Sequence, residues 1–396
     1  MVQFLHFVFV NGNITFFNLA GSFRVYPIRT SGGGLIMRRL FLCGILFGFS
    51  LFSASGALAQ PFPVTDVRAL GMGGAFVAAG EGIGAVQYNP ALLGRNTTVS
   101  VVVPEIAARI DDHIGLADLV DDLNNFDPAD PADLADLIPI LDKLNKEGSL
   151  DIQGSGAAGA GFGIFGISAG VTLSRTIYGM AMPSDISTNL AEVDDSNFNT
   201  LQYGAIDAKQ LILSGAKSFG DIAVGANLRS IDATLYYDEQ WLFDDPGTGI
   251  GDITEGDSTD ESTTAIDVGF FMSLLPTLDV GIVGRDVNSP SLGDVDFDPR
   301  YRIGAALNLP IVTVAADYDL GENSLEGGTD YKEWAIGGEV DLWAIALRGG
   351  LSQNMALSGS PTIIHLGAGL GFLDIGAAYA EGGDYYMAGA NLTLGF

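Results

Sequence analysis

The chain has 396 residues, with 18 lysines and arginines against 48 aspartates and glutamates, and a net charge of −30. Such an excess of negative charge argues against a nucleic-acid partner, whose binding needs basic patches. Yet 47% of the residues are hydrophobic and 54 are glycine, and no run after residue 59 is long enough for a membrane-spanning helix. This combination is typical of a β-barrel with an apolar outer face, a small polar lumen and acidic loops.

The first 59 residues contain no aspartate or glutamate and end in a pattern typical of a secretory signal peptide. Two arginines precede an apolar run and then a small-residue site that ends at Ala59. We therefore predict a signal peptide over 37–59, with translation starting at Met37, and no functional role for residues 1–36. The single cysteine, Cys43, lies inside this leader. The mature protein is accordingly expected to have no disulfide and no thiol chemistry.

Residues 60–95 form the next predicted unit. Small residues dominate it, which allows backbones to pack closely in a confined space. Asn89 is suited to cap a helical turn that begins at Pro90, and Gly94 is suited to end that turn in the left-handed conformation.

The same segment resembles the hatch of the long-chain fatty-acid transporter family of outer-membrane barrels. That hatch combines a glycine-rich stretch, an acidic residue and an Asn-Pro-Ala-Leu turn. The matching residues here are Gly71, Gly73, Gly74, Ala75, Glu81, Asn89, Pro90, Ala91 and Leu92. The resemblance implies a barrel of fourteen strands, a hatch inside it and a fatty acid or other hydrophobic molecule as ligand. The family's basic and aromatic ligand positions find no match, so no ligand residue is assigned.

Within this superfamily, the pattern Gly-Met-Gly-Gly-Ala and the later Tyr-Asn-Pro-Ala are similar to those of barrels described as conjugal-transfer TraF-like or PorV-like. An insert rich in aspartate and leucine after the first strand fits the TraF-like group best. The resemblance to this group implies components of a secretion or conjugation system as partners.

About fourteen strands are predicted after the hatch, so residues 96–396 should form a closed antiparallel transmembrane β-barrel. Each strand is near the length that a tilted strand needs to cross a bilayer. In one of them Ile222 and Val224 alternate with Ala223 and Gly225, as expected for a lipid face and a lumen face. The predicted strands lie near 97–110, 150–161, 162–178, 203–219, 220–240, 262–274, 277–287, 299–308, 311–319, 331–341, 342–352, 361–371, 373–380 and 385–396.

The predicted connections alternate between tight turns and long loops. The tight turns fall at 160–162, 219–221, 275–277, 309–311, 340–342 and 371–373. The loops fall at 111–149, 179–202, 241–261, 288–298, 320–330 and 353–360. Short periplasmic turns and long extracellular loops are the signature of an outer-membrane barrel. We therefore expect the bacterial outer membrane as location, both termini in the periplasm, and outer-membrane lipid and the barrel-assembly machinery as partners.

The final strand ends on an aromatic residue at the chain terminus. Phe396, Leu394 and Leu392 share one apolar face, and Asn391 lies on the other. This ending resembles the insertion signal of outer-membrane barrels. A soluble edge strand is the alternative interpretation.

The first long loop is predicted to contain two amphipathic helices, because apolar residues recur there at steps of three and four. These helices can simply pack on each other and on the end of the barrel. Alternatively, they form an apolar lip that collects hydrophobic ligands. The candidate lip residues are Leu116, Leu119, Val120, Leu123, Leu134, Leu137 and Leu141.

Catalytic chemistry is not expected. After the leader only His113 and His365 remain as histidines, and neither has the pattern of a positioned base or a zinc ligand. His365 is predicted to face the lumen or the lipid rim. Acidic clusters such as Asp294, Asp296 and Asp298 are either a solvated surface or a weak calcium site. No catalytic residue, metal site or cofactor is therefore assigned.

Two functions from different classes remain open on the sequence alone. The first is a passive channel for hydrophobic molecules, gated by the hatch at 60–95. The second is a non-conducting outer-membrane anchor or assembly partner of a conjugation or secretion system.

Overall fold

The computed structural model describes residues 6–10, 13–17, 66–95, 99–112, 149–184, 200–241, 257–293, 295–323, 330–357, 359–380 and 385–395. The chain divides into two compact units, residues 1–54 and 55–396. In the first, β1 (His6–Val10) and β2 (Asn13–Phe17) pair as an antiparallel hairpin.

The second unit is a closed barrel in which fourteen strands follow one another as antiparallel neighbours, and the last strand pairs with the first. The predicted closed fourteen-strand barrel is therefore confirmed. The barrel strands are β3 (Ser100–Asp112), β4 (Leu150–Ile164), β5 (Ile167–Ser184), β6 (Thr200–Phe219), β7 (Ile222–Trp241), β8 (Asp257–Leu275), β9 (Leu278–Arg285), β12 (Arg300–Asn308), β13 (Val312–Asp319), β14 (Glu333–Asp341), β15 (Ile345–Asn354), β16 (Ile363–Leu370), β17 (Leu373–Ala380) and β18 (Tyr385–Gly395).

A small hairpin lies between two barrel strands. Its strands, β10 (Ser291–Leu292) and β11 (Val295–Asp296), belong to the connection from β9 to β12. The sequence pattern does not distinguish it from a loop, because each of its strands has only two residues.

The two-residue period of each strand separates an outer face from an inner one. In β18, Tyr386, Leu392 and Leu394 are exposed, whereas Met387 and Asn391 are buried. The predicted lumen position of Asn391 agrees with this arrangement.

The outer face of the barrel is apolar. Exposed leucine, isoleucine, valine and aromatic side chains occur on strand after strand, for example Leu173, Leu213, Leu228, Leu347 and Leu366. So many exposed apolar side chains would be unfavourable in water, and they match the lipid-facing band of a membrane barrel. Among the described residues, no helix has the length and apolar character needed to cross a membrane.

One end of the barrel, here called the turn end, carries the tight turns. The turn between β4 and β5 lies at Phe165–Gly166, where both residues have positive φ (52° and 72°), as a two-residue hairpin of type I′ requires. The predicted turn at 160–162 is therefore wrong. Gly161 lies inside β4, paired with Gly170. The turn predicted at 340–342 likewise lies later, at 342–344, where Trp343 has a φ of 76°.

The other end, here called the loop end, is uneven in height. Strands β5 to β8 have 18 to 20 residues, whereas β9 and β12 to β18 have 8 to 11. About ten residues suffice to cross a bilayer, so the four long strands continue past it at the loop end. Parts of the predicted loops 179–202 and 241–261 are therefore strand.

Candidate functional site

Residues 66–95, here called the luminal segment, form compact local structure before the first barrel strand. Helix α1 (Val67–Gly71) begins after Asp66, whose carboxylate accepts hydrogen bonds from the amides of Arg68 (2.8 Å) and Ala69 (3.2 Å). Two 3₁₀ turns follow, Gly84–Gln87 and Pro90–Arg95. Nearly every residue of the segment is buried.

The luminal segment lies inside the barrel and contacts the inner face of all fourteen strands. Its first half packs mainly on β9 and β12 to β18, and its second half on β3 to β8. The contacts, in the order of the strands from β3 to β18, are Ser100 with Ile83, Gly159 with Ile83, Gly170 with Ile83, Ser218 with Gly94, Gly225 with Pro90, Gly269 with Asn89, Gly281 with Val77, Gly304 with Val77, Asp317 with Phe76, Gly337 with Met72, Gly350 with Gly73, Gly367 with Gly71, Gly376 with Val67 and Gly389 with Val67.

Glycines of the barrel wall make this close packing possible. A Cβ atom added at Gly281 or Gly350 would lie 2.5 Å from a backbone atom of the luminal segment, and one at Gly225 or Gly337 would lie closer still. Real Cβ atoms cannot approach backbone so closely. The wall glycines therefore mark the height at which the lumen is filled.

The glycines of the luminal segment itself have separate roles. A Cβ at Gly71 would lie 3.0 Å from the Cα of Gly367, so wall and segment meet there through their backbones. Gly73 and Gly74 have positive φ (70° and 84°), which favours glycine. Gly94 does not adopt a positive φ, and its 3₁₀ turn continues to Arg95. The predicted left-handed ending at Gly94 is wrong, and its small size instead fits against Ser218 and Ala223.

Two polar residues hold the sharp bends of the luminal segment. The carboxylate of Asp317 on β13 accepts hydrogen bonds from the amides of Phe76 (2.8 Å) and Val77 (2.9 Å). Asn89 accepts the amide of Ala91 at 3.0 Å, as an N-cap does, and its Nδ2 donates to the carbonyls of Val77 (2.9 Å) and Phe270 (3.0 Å). Asn89 therefore joins two parts of the segment to each other and to β8.

Three further side chains of the wall each donate a hydrogen bond to one backbone carbonyl of the luminal segment. Asn227 donates to Val86 at 2.8 Å, and Arg285 donates to Gln87 at 3.2 Å. His365, predicted to lie in the lumen or at the lipid rim, lies in the lumen, where its Nδ1 donates to Leu70 at 2.9 Å. Its Nε2 lies 3.0 Å from the hydroxyl of Ser352. These bonds provide partners for buried backbone carbonyls, and that of Leu70 also accepts the amide of Gly73.

At the turn end, a chain of ion pairs attaches the start of the luminal segment. Arg68 pairs with Glu339 (2.6 Å) and with the exposed Glu81 (2.8 Å), and Arg348 pairs with Glu339 (2.6 Å) and Asp374 (2.5 Å). These residues line a polar cavity of about 310 Å³.

Burial affects the charged residues at the start of the segment. It raises the pKa of Asp66, although Arg68 and two backbone amides act in the opposite direction. Burial also disfavours the charged form of Arg68, but Glu339 and Glu81 outweigh it, and the pKa of the guanidinium is raised. Arg68 therefore stays charged and keeps its ion pairs.

Toward the loop end lies a cavity of about 40 Å³ lined in part by Gln87, a space on the order of a few water molecules. Arg229, Arg285 and Arg300 line it, and Asp286 bridges Arg229 and Arg300. Beside it, the β10–β11 hairpin places Leu292 against inward-facing apolar residues of β6 to β8, namely Ala208, Ile231, Ala233 and Ala265.

Some predicted site residues lie outside the described part of the chain. These are Phe396, His113, Asp294 and all seven candidate lip residues, whose segment 113–148 is not described. Leu392 and Leu394 are exposed on the outer face. Within the described residues, no group of three or more histidine, cysteine, aspartate or glutamate side chains is arranged to hold a metal ion.

The sequence alone does not predict that several residues contact the luminal segment, in particular Asp317, Asn227 and the wall glycines. One signal could have found the glycines, since Gly225, Gly337 and Gly350 each lie on the polar register of a predicted strand. Their alignment at one height depends on strand register, which the pattern does not supply.

The geometry defines a class, a membrane-type β-barrel whose lumen is filled by its own N-terminal segment. The family model described as "F plasmid transfer operon, TraF, protein" matches residues 86–341, more than half of the chain. The chain belongs to this TraF family, and the predicted resemblance to the TraF-like group is confirmed.

Solved structures share the fold at low sequence identity. The Pseudomonas putida toluene transporter TodX is 10% identical, with a TM-score of 0.51 over 83% of this chain and 96% of that one. The CymD monoaromatic hydrocarbon channel is 12% identical, with a TM-score of 0.51 over 85% and 98%. No match is found among curated proteins.

Proposed function

We propose that this protein is a bacterial outer-membrane channel for the passive uptake of hydrophobic molecules, and that residues 60–95 are its gate. The apolar outer band supports the location. The likeness in fold to a toluene transporter and a monoaromatic hydrocarbon channel supports the class of permeant, which includes fatty acids and other small apolar compounds. Outer-membrane lipid and the barrel-assembly machinery are the partners that such a location implies.

The observation that carries the proposal is how the lumen is filled. The luminal segment packs against all fourteen strands, but its polar links to the wall are made by side chains such as Asp317, Asn227 and Arg68 and not by the strand-to-strand hydrogen bonds that close the barrel. An element held in this way can rearrange at a small fraction of the free energy needed to unfold the barrel. Passage through the lumen then requires movement of this segment and leaves the fourteen strands in place.

The substitution Asn89→Ala tests this gate. It removes three hydrogen bonds, each of which typically contributes about 1 kcal/mol, so the luminal segment loosens while the barrel assembles. We expect normal heat-modifiable migration on gels together with a changed rate of uptake of a radiolabelled monoaromatic hydrocarbon by cells.

Asn288→Ala is the matched control, because Asn288 also makes two backbone hydrogen bonds, to Ile266 and Thr264, but lies at the loop end. Unchanged uptake in an assembled Asn89→Ala barrel would count against the channel. Loss of assembly would instead place Asn89 in the folding core.

A second function, an anchor or assembly partner in a conjugation or secretion system, is supported by the family description, which names a plasmid transfer operon. Under this second function, the luminal segment would fill the lumen permanently. A strain that lacks the protein would then lose transfer or secretion while its uptake of apolar compounds stayed the same.

A further inference from the structure

A buried group of polar side chains lies above the luminal segment, at the loop end. Asp151 at the start of β4 is fully buried and accepts three hydroxyl groups: Ser149 at 3.0 Å, Tyr178 at 2.8 Å and Tyr331 at 3.1 Å. One carboxylate thus gathers donors from three separate parts of the chain.

The bond from Tyr331 crosses the lumen. Tyr331 shortly precedes β14, and on the shorter way round the barrel five strands (β15, β16, β17, β18 and β3) separate β14 from β4. Because these strands lie on nearly opposite walls of a fourteen-strand ring, a hydrogen bond between their ends spans the opening rather than following the wall.

The neighbours of this bond complete a buried polar cluster, here called the cross-lumen cluster. It consists of Arg109, Asp111, Asp151, Tyr178, Tyr331 and Tyr385, each less than 10% exposed. The guanidinium of Arg109 interacts electrostatically with Asp111 and Asp151 and so balances part of their charge. Directly below, Leu70 of the luminal segment packs with Ala107, Ala378 and Met387.

We infer that the cross-lumen cluster is a second barrier, in series with the luminal segment, which closes the β14–β18 and β3–β5 side of the lumen from the outside. The inference rests on the proposed function, since a barrier matters only if something passes. It assigns Tyr331 as the residue whose hydroxyl and ring hold the closure. An apolar permeant gains nothing from this buried polar cluster, so its way in lies on the opposite side or requires Tyr331 to swing out.

Cysteine labelling tests the barrier without measuring transport. In a Cys43→Ser background, Ala378→Cys places a thiol just below the cross-lumen cluster, where Ala378 is 3% exposed. Ser262→Cys places a thiol on the exposed outer side of β8 near the loop end. The probe is a charged, membrane-impermeant maleimide added to intact cells.

We expect the thiol of the Ala378→Cys variant, the inner thiol, to react much more slowly than that of the Ser262→Cys variant, the outer thiol. Adding Tyr331→Ala should raise the labelling rate of the inner thiol about tenfold or more, because the opening no longer depends on breaking a buried contact. Tyr331→Phe, which keeps the ring, should give a smaller increase. Tyr318→Ala is the matched control, since Tyr318 lies on β13 near the same end but is exposed, and it should leave the rate unchanged.

Equal labelling of the inner and outer thiols without any change at Tyr331 would overturn the inference, as would an unchanged rate at the inner thiol in assembled Tyr331→Ala barrels. If Tyr331→Ala fails to assemble, the rate in Tyr331→Phe decides. Faster labelling combined with no uptake of hydrocarbon in any variant would sink the proposed channel and leave the barrier standing.

Discussion

At the scale of single residues, the absence of a Cβ atom at glycines of the barrel wall decides how closely the wall approaches the luminal segment. Gly225 and Gly215 lie on adjacent strands, one residue apart in register. A Cβ at Gly225 would collide with the backbone of Pro90, whereas one at Gly215 meets nothing within 4 Å. The two glycines therefore occupy one region of the barrel and face opposite sides of its wall.

Gly225→Ala should accordingly displace the Pro90–Arg95 turn at a cost of about 1–3 kcal/mol, as overpacking typically does. Gly215→Ala should be close to neutral. The measurement is the urea midpoint at which each barrel loses its folded, heat-modifiable form, together with protease protection of the luminal segment. If the two variants behaved alike, the wall glycines would not be there to admit the segment.

Some roles of single residues could be predicted from the sequence, and others could not. Asn89 and Pro90 could be predicted to form a capped turn, because the capping chemistry is local. Gly161 suggests a turn by its type, yet it lies in a strand and makes room for Leu93 and Ile83. The role of Asp317 depends on a contact with Phe76, 241 residues away, and no local pattern carries such a pairing.

At the scale of elements, the strands were predictable because each repeats a two-residue period with tight turns between them. What the period does not reveal is strand length at the loop end, since polar residues continue there on both faces. Asp260 and Glu261, for example, lie in β8 and resemble loop residues.

The last strand gives a test of the face assignment. Phe396→Ser removes the terminal aromatic, which the two-residue period assigns to the outer face, and should strongly reduce membrane assembly, because that face joins lipid and the closing seam. Asn391→Ser changes a buried, lumen-side amide and should matter much less. Quantifying the folded barrel in outer-membrane fractions compares them, and equal losses would remove the argument from strand faces.

At the scale of the whole molecule, the even number of strands places the start of β3 and the end of β18 together at the turn end of the barrel. Because short turns face the periplasm in outer-membrane barrels, protease added to intact cells should cut within 111–149 or 241–261. Cleavage confined to the turns at 219–221 or 275–277 would reverse this orientation.

The central claim, that the luminal segment must move for anything to pass, has a direct test in a reversible lock. In the Cys43→Ser background, Gly94→Cys with Ala216→Cys joins segment to wall, since a Cβ at Gly94 lies 3.4 Å from that of Ala216, close to disulfide spacing. Ala377→Cys with Ala388→Cys, which pair directly across β17 and β18 with both side chains exposed, joins wall to wall as the control.

The quantity to measure is the initial rate of hydrocarbon uptake by cells before and after a reducing agent is added. We predict that the segment-to-wall disulfide lowers uptake to that of cells lacking the protein, that reduction restores it, and that the wall-to-wall disulfide has no effect. Equal uptake by the oxidised and reduced forms of the segment-to-wall lock would contradict this prediction.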